Sequence, residues 1–425
     1  MTGLVRAGSG EVVGDRGRAV GAGHRGGLGA RAGAVRGRAA QVADRIPAPW
    51  RFAVTVFLGT KIVLTLVGVL ALTAFDHLSL TPPADGWTMR DQQRAISPHR
   101  WVSLWFAWDS FLYEKLAQVP LDRPWQEFGF PLLYPFLGRA LAPLLAGHTA
   151  MALLLVANAA FLLMLYYAHR LGEQLLGDPG TRRFVRYLVL LPTAFLFQAA
   201  LTESLFLCLT LAAFHYAERR RWLVVGVLGF FLALSRSVGF FVVVPLALVL
   251  LRQHDYRFGR RVLWGCVRTG WPLLLVPAGW LAFMAFCRWQ GGDWFAYQHA
   301  QKRGWGVSVQ NPLGVLWHGL AGGSVPDALR VGAAVLALVV VVAGVRRIGL
   351  PYVVYGVIMV LVPLSMGPPV YKSLLRYLLA AFPVALVLAG WTWRARVGGW
   401  LTTGLVLLQG ALFVIWLAYW NHFII

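Results

Sequence analysis

Long apolar runs, separated by short polar segments, make up most of the chain from residue 50 onward. The first run covers about 52–74, long enough at ~1.5 Å per residue to cross a hydrocarbon core of ~30 Å. Further runs begin near Thr149, Tyr187, Ser204, Trp222, Val238, Thr269, Ala328, Pro351, Leu374 and Gly399. The pattern predicts an all-α polytopic membrane protein with about eleven transmembrane helices in a domain at 50–425.

Some of these runs are short and occur in pairs that meet at a polar turn. The run at 187–200 is followed by one at 204–217, and the run at 222–234 by one at 238–251. Paired short runs predict helices that end inside a protein-lined cavity, because irregular backbone at membrane depth needs polar partners.

Two of the polar segments are long, 75–147 and 290–327, and both are expected to be extracytoplasmic loops. Within the first, 131–146 carries three prolines and Arg139. We interpret 131–146 as an interfacial or re-entrant helix, since counting it as a span would reverse the side of every later loop.

Composition and charge agree with a membrane protein. Of the 425 residues, 58% are hydrophobic and only 13% are charged, about half the charged share of a soluble domain. The net charge of +22 could indicate nucleic-acid binding, but the Lys and Arg residues lie between apolar runs, so we expect a lipid partner and no nucleic acid.

The loops alternate in charge, which predicts their sides of the membrane. The Arg-rich set, expected to be cytoplasmic, is 170–186, 218–221, 252–261, 346–347 and 394–396. The opposite set, expected to be extracytoplasmic, is 75–130, 202–203, 235–237, 290–327 and 366–373. The prediction is a multi-pass plasma-membrane protein with a cytoplasmic N-terminus.

Residues 1–49 are rich in Gly, Ala and Arg and contain no continuous apolar stretch. They predict a disordered basic cytoplasmic tail near anionic lipid and not a secretory signal peptide. A start codon assigned too early is the alternative explanation.

No cofactor is expected. Cys208, Cys266 and Cys287 have no metal-site spacing, and neither a nucleotide-binding loop nor an HExxH motif occurs. A divalent metal is not indicated by the sequence.

The first long loop contains a candidate general base, Asp109, among aromatic residues. Helical spacing would place Trp105, Trp108 and Leu112 on one face of an interfacial helix, with Asp109 facing a groove at headgroup depth. A carboxylate there can accept a proton from a sugar hydroxyl. The alternative is an Asp that caps a helix or pairs with an Arg.

A second acidic candidate is Glu203, at a turn between apolar helices. A Glu in that setting usually faces a cavity or has a partner. Thr202 and Glu203 could equally cap the start of the next helix.

Cations in the extracytoplasmic set could bind a lipid phosphate. Arg236 lies between two apolar runs, and Lys372 and Arg376 are four residues apart. Lys302 and Arg303, near Trp294, Tyr297, His299 and Trp305, form a weaker version of the same pattern. Snorkelling of these cations to the headgroups is the alternative.

Five segments, taken in order, resemble motifs of the GPI mannosyltransferase 2 family. They are WDSFLY at 108–113, FPLLYP at 130–135, TESLF at 202–206, LSRSVG at 234–239, and RYL at 376–378 with FP at 382–383. No single segment is specific, whereas the ordered set is.

The resemblance implies a GT-C glycosyltransferase fold, an extracytoplasmic active site and inverting transfer from a polyprenyl-phosphate sugar, with mannose as the sugar. It implies that Asp109 is the catalytic base, that Glu203 orients the acceptor or the base, and that Arg236 and Arg376 hold the donor phosphate. Substrate-binding roles are also expected for further residues: Trp108, Tyr113, Lys302, Arg303, Lys372 and Tyr377.

Ser110, Glu114 and Ser237 depart from the family pattern and bear on sugar and acceptor identity. The Arg-, Ala- and Gly-rich composition is typical of a high-GC, actinobacterial sequence, and such organisms generally make no GPI anchors. A glycolipid, cell-wall glycan or secreted protein is therefore the expected acceptor. The alternatives are a polyprenyl-linked sugar carrier or flippase and a non-catalytic membrane subunit.

Overall fold

The computed structural model describes residues 46–78, 84–120, 128–257, 259–392 and 394–418. All regular structure in these residues is helical, as predicted. The basic tail expected at 1–49 lies almost wholly outside the described residues, as do 79–83 and 121–127 of the first long loop.

The α-helices are α1 (Ala48–His77), α2 (Ala84–Ile96), α3 (Arg100–Ser103), α4 (Asp109–Gln118), α5 (Leu133–Leu141), α6 (Thr149–Val189), α7 (Glu203–Glu218), α8 (Trp222–Ser235), α9 (Val243–Arg252), α10 (Arg260–Gly270), α11 (Leu275–Gly291), α12 (Ala296–Trp305), α13 (Pro312–Ala321), α14 (Val325–Ala343), α15 (Val345–Ile348), α16 (Leu350–Leu364), α17 (Leu374–Tyr377), α18 (Pro383–Trp391) and α19 (Ala395–Leu417). Short 3₁₀ segments occur at Ala142–Leu145, Ala194–Gln198, Ser237–Val242, Trp271–Leu274, Pro368–Ser373 and Leu378–Ala380.

Among the described residues, five helical segments are long and apolar enough to cross a membrane. They are α1, α6, the continuous stretch Arg260–Gly291, α14 and α19. Pro368–Ala380 and α18, bent by 59°, form a sixth if the bent pair is one span. The structure therefore supports a multi-pass membrane protein but does not confirm the predicted count of eleven crossings.

The difference in count arises from the short apolar runs. α8 has 14 residues and α16 has 15, about 21–23 Å at ~1.5 Å per residue, less than a ~30 Å core. The run expected at 187–200 is not a separate helix, because α6 continues to Val189 and a 3₁₀ turn follows at Ala194–Gln198. Hydropathy detects such apolar segments but does not show that they end within the protein.

The expected re-entrant segment at 131–146 is also short. α5 and the 3₁₀ turn after it form one apolar stretch, Leu133–Leu145, about 20 Å long, which packs against α6. Arg139 donates a hydrogen bond of 2.8 Å to the carbonyl oxygen of Ala117, at the end of α4. This segment is too short to cross a bilayer core unaided.

The protein core is built on α6, α7, α8 and α11, each packed against the next. Glycines let α8 and α11 approach closely. A Cβ placed on Gly279 would lie 2.3 Å from the carbonyl oxygen of Phe230. Small residues at such contacts are typical of helix pairs in membranes.

Exposed tryptophans lie near both ends of the Arg260–Gly291 stretch. Trp264 is 71% exposed and Trp289 is 73% exposed. A helix rising ~1.5 Å per residue would separate them by roughly 38 Å, close to the ~40–45 Å spacing of two membrane interfaces. Tryptophan favours both interfaces, so the placement supports a bilayer environment.

Hydrogen bonds connect some segments within each of the two predicted loop sets. In the predicted extracytoplasmic set, Gln301 donates a hydrogen bond to the carbonyl oxygen of Gly129 at 2.6 Å. In the Arg-rich set, Arg252 and Tyr352 each donate to the Glu218 carboxylate, at 2.5 and 2.6 Å. The side of the membrane on which each of these segments lies stays a prediction.

Candidate active site

The segment before Asp109 runs into the protein beside α1. Arg100 binds Asp76 near the end of α1 at 2.5 Å, whereas Leu104 faces Gly68, two turns earlier. Trp105 is fully buried and its ring stacks on that of Phe413. The predicted helical face containing Trp105, Trp108 and Leu112 is therefore not formed, because Trp105 is buried before the helix begins.

Asp109 is the first residue of α4, and its orientation depends on the residue before it. Trp108 has φ 53° and ψ −118°, a backbone conformation rare for a non-glycine residue. The Asp109 side chain is 20% exposed and pairs with the guanidinium of Arg376, which donates to Oδ2. No described residue donates to Oδ1, so that oxygen can meet a ligand.

Glu203, the first residue of α7, lies behind Asp109 and is shielded from solvent. Its side chain is 1% exposed, and Oε1 accepts hydrogen bonds from Arg236 at 2.6 Å and from Nε of Arg376. Its other oxygen, Oε2, is buried and has no partner in the described part of the chain. Thr202 makes no side-chain capping bond, whereas Glu203 lies in the first turn of α7, where an acid is favourable, and also pairs with two arginines.

Arg376 connects the two acids. It donates through Nε to Glu203 and through Nη1 to Asp109, and its side chain is only 4% exposed. The Arg236 side chain is 12% exposed and lies 5.0 Å from the centroid of the Tyr377 ring. Neither arginine therefore snorkels to headgroups, and the four ionised groups form a charge-neutral quartet.

The quartet borders a cavity of about 640 Å³. Of the predicted site residues, seven line it: Trp108, Asp109, Tyr113, Arg236, Lys372, Arg376 and Tyr377. Among the lining residues, all within the described part of the chain, Asp109 is the only carboxylate. Glu203 is not part of the lining and contacts the cavity only through the arginines.

The structure does not place Lys302 and Arg303 in this cavity. Both are exposed, and the opposite face of α12 lines the cavity instead, through Tyr297, Gln301 and Trp305. The spacing of those three residues, four apart, is the sequence signal that identifies them, since such residues share a helical face.

Aromatic side chains form much of the wall near Asp109. The Trp305 ring packs edge-on against Phe130 at 5.3 Å, and Phe130 packs against Tyr113 at 4.9 Å. A wall that combines aromatic faces and polar groups can bind the apolar and polar surfaces of a sugar. Phe130 belongs to one of the five motifs, but it was not among the predicted site residues.

Tyr113 is buried beneath this wall. Its hydroxyl lies 3.4 Å from Oγ1 of Thr202, joining the two acidic segments. Burial raises the pKa of the Tyr113 phenol well above its usual range, because the phenolate would be poorly solvated. Tyr113 is therefore neutral near pH 7.

Lys372 is the exposed cation of the cavity. It forms no ion pair with any carboxylate of the described residues. The guanidiniums of Arg236 and Arg376 are engaged with the acids, so Lys372 supplies the uncompensated positive charge at this site.

Within the described residues, no three His, Cys, Asp or Glu side chains lie close enough together to hold a metal ion. No protein-family model and no curated protein matches the chain. The family resemblance thus depends on the five ordered segments. The structure brings four of them to the cavity, WDSFLY, FPLLYP, LSRSVG and RYL, and TESLF supplies the buried Glu203.

Proposed function

We propose that the protein is an inverting membrane glycosyltransferase of GT-C type. It transfers mannose from polyprenyl-phosphate mannose to an acceptor hydroxyl group. The observation that carries the proposal is Asp109, a partly exposed carboxylate on the wall of a cavity and bound on one oxygen by Arg376. The ordered resemblance adds the donor class and the extracytoplasmic face.

In this reaction an acceptor hydroxyl attacks the anomeric carbon of the donor sugar. The new carbon–oxygen bond forms as the bond from that carbon to the phosphate oxygen breaks, and the electron pair stays on the phosphate. The hydroxyl proton passes to Oδ1 of Asp109. Attack opposite the leaving group inverts the anomeric carbon, and the products are the mannosylated acceptor and polyprenyl phosphate.

Arg376 and Glu203 act on the base and do not touch the sugar in this scheme. The bond from Arg376 to Oδ2 fixes the carboxylate, and Glu203 fixes Arg376 in turn. Such preorganisation matters because small displacements of a catalytic group lower the rate steeply. Glu203 is therefore a positioning residue, which corresponds to the base-orienting one of its two expected roles.

The donor phosphate is assigned to Lys372 first. Arg236 and Arg376 were expected to hold it, but both already bind carboxylates in a neutral quartet. Lys372 lines the same cavity, is exposed and forms no such pair within the described chain. A lysine ammonium can stabilise the negative charge that collects on a leaving phosphate.

Reconstituted protein tests the proposal. Proteoliposomes receive polyprenyl-phosphate mannose labelled in the sugar, together with glycolipid, glycan and protein fractions from bacterial membranes. The expected result is label covalently attached to an acceptor and release of unlabelled polyprenyl phosphate. Label that moves between leaflets without a covalent product would support the carrier alternative, and no turnover with any fraction would support a non-catalytic subunit.

A further inference from the structure

Lys61 lies within the first candidate span, remote in sequence from every residue assigned to the cavity. It is the fourteenth residue of the thirty-residue α1, and apolar residues surround it in the sequence. An ammonium group in the middle of a span is unfavourable in lipid, so it usually has a protein partner and a function. No carboxylate of the described residues pairs with it.

The partners of Lys61 belong to two loops. Its Nζ atom lies 3.7 Å from the centroid of the buried Trp105 ring, a cation–π contact. The same atom lies 3.5 Å from the carbonyl oxygen of Gln198. Lys61 therefore contacts a residue four positions before Asp109 and a residue five positions before Glu203.

The two loops are also joined directly where Lys61 meets them. The backbone N–H of Ala200 donates a hydrogen bond of 2.9 Å to the carbonyl oxygen of Trp105. Asn158 of α6 donates to the Gln198 carbonyl at 3.3 Å, so that oxygen accepts from two sides. We call Lys61, Trp105, Asn158 and Gln198 the Lys61 cluster.

The Lys61 cluster contains polar atoms that lack partners. Trp105 and Gln198 are at most 1% exposed, yet Nε1 of Trp105 and Oε1 of Gln198 have no hydrogen bond within the described chain, and Oδ1 of Asn158 has none either. Unpaired buried polar atoms are uncommon and accumulate at functional sites. Two of these atoms are acceptors and Nε1 of Trp105 is a donor, so the buried cluster has polar groups of both kinds beside Lys61.

We propose that Lys61 is a positioning residue that fixes the two loops carrying Asp109 and Glu203, so that Arg376 can bind both acids at once. The proposal depends on the proposed transfer reaction for its catalytic consequence. Its structural part is that the contacts of Lys61 keep segments 104–112 and 199–206 ordered, and this part does not depend on the reaction.

The structural part is tested by hydrogen–deuterium exchange of full-length protein in lipid nanodiscs. Lys61→Met should raise the exchange of peptides covering 104–112 and 199–206 by about tenfold, because it removes the charge that both loops contact. Lys61→Arg, which keeps the charge, should restore protection. Arg268→Met, which removes an exposed cation of α10, is the matched control and should leave both peptides unchanged.

The catalytic part is tested with the same variants in the transfer assay. Lys61→Met should lower kcat about tenfold while KM for the lipid donor stays within about twofold, since positioning of the base changes and the phosphate site does not. Lys61→Arg should recover most of kcat.

The outcomes separate the two proposals. Unchanged exchange in Lys61→Met overturns the role of Lys61, whatever the activity. Looser loops in the variant, with no transfer by the wild type, refute the proposed function and leave the hold of Lys61 on the loops intact. If Lys61→Met is not monodisperse, Lys61→Gln is measured instead, because its amide can still bond the Gln198 carbonyl while the charge over Trp105 is lost.

Discussion

Replacing Asp109 by Asn separates loss of chemistry from loss of structure. The amide cannot accept the hydroxyl proton, and removing a general base typically lowers a rate by ~10²–10⁴. That range corresponds to about 2.7–5.4 kcal/mol of activation free energy. The expected result is therefore near-complete loss of sugar transfer.

The structural consequence should be much smaller. Asn keeps an oxygen that can accept the hydrogen bond from Arg376, and Arg376 keeps its bond to Glu203. The quartet changes from net zero to +1 at a position that is 20% exposed, where solvent screens the change. We expect the free energy of unfolding to fall by about 1 kcal/mol.

The assay compares purified wild type, Asp109→Asn and Glu114→Gln at matched protein concentration, by mannose transfer and by thermal unfolding in detergent. Glu114→Gln removes a carboxylate from the same helix that does not line the cavity, so it controls for charge loss in α4. Transfer by Asp109→Asn within about threefold of wild type would refute the assignment of Asp109 as base. A large loss of thermal stability in that variant would instead show that Asp109 is structural.

Other substitutions test the remaining assignments. Lys372→Met should raise the donor KM about 10–100-fold with a smaller change in kcat, and Lys372→Arg should recover it; an unchanged KM would return the phosphate to the arginines. Glu203→Gln should lower the free energy of unfolding by about 3 kcal/mol or more, because Glu203 is only 1% exposed and is the one carboxylate among the described residues that pairs with Arg236; wild-type thermal stability would contradict this. Tyr113→Phe should leave the pH profile of transfer unchanged below about pH 10, since burial raises the Tyr113 pKa and keeps the phenol neutral throughout; a shifted profile would show that it titrates. Gly279→Leu should lower the unfolding temperature markedly, because its side chain would meet the Phe230 carbonyl; a well-folded variant would show that α8 and α11 can separate.

The properties that depend on local composition could be predicted from the amino-acid sequence. The apolar runs identified a helical membrane protein, and the placement of Arg predicted two alternating sets of loops. Glu203 and Arg236 were identifiable because a charge between apolar segments requires a partner or a cavity. That requirement can be recognised without knowing the partner. Asp109 was identifiable from its aromatic neighbours, and Arg376 from its spacing of four residues from Lys372.

Which charged side chains form ion pairs with one another depends on the tertiary fold. Arg376 pairs with acids 173 and 267 residues away, so no local pattern shows that it connects Glu203 to Asp109. That long-range pairing also leaves Lys372 as the cation of the cavity lining that has no carboxylate partner in the described chain. Under the proposed function it makes Glu203 a support for the base.

Tertiary packing also decides which side chains of a helix line the cavity. Gln301 and Trp305 line the cavity, whereas the neighbouring Lys302 and Arg303 project from another face of α12. Which face of the helix lines the cavity depends on what the helix packs against. Lys61 was not singled out by any local pattern, since its hydrogen-bond partner, the Gln198 carbonyl oxygen, is 137 residues away. Hydropathy and charge indicate which groups are unfavourable to bury. The packing of distant segments determines which partner each buried group has.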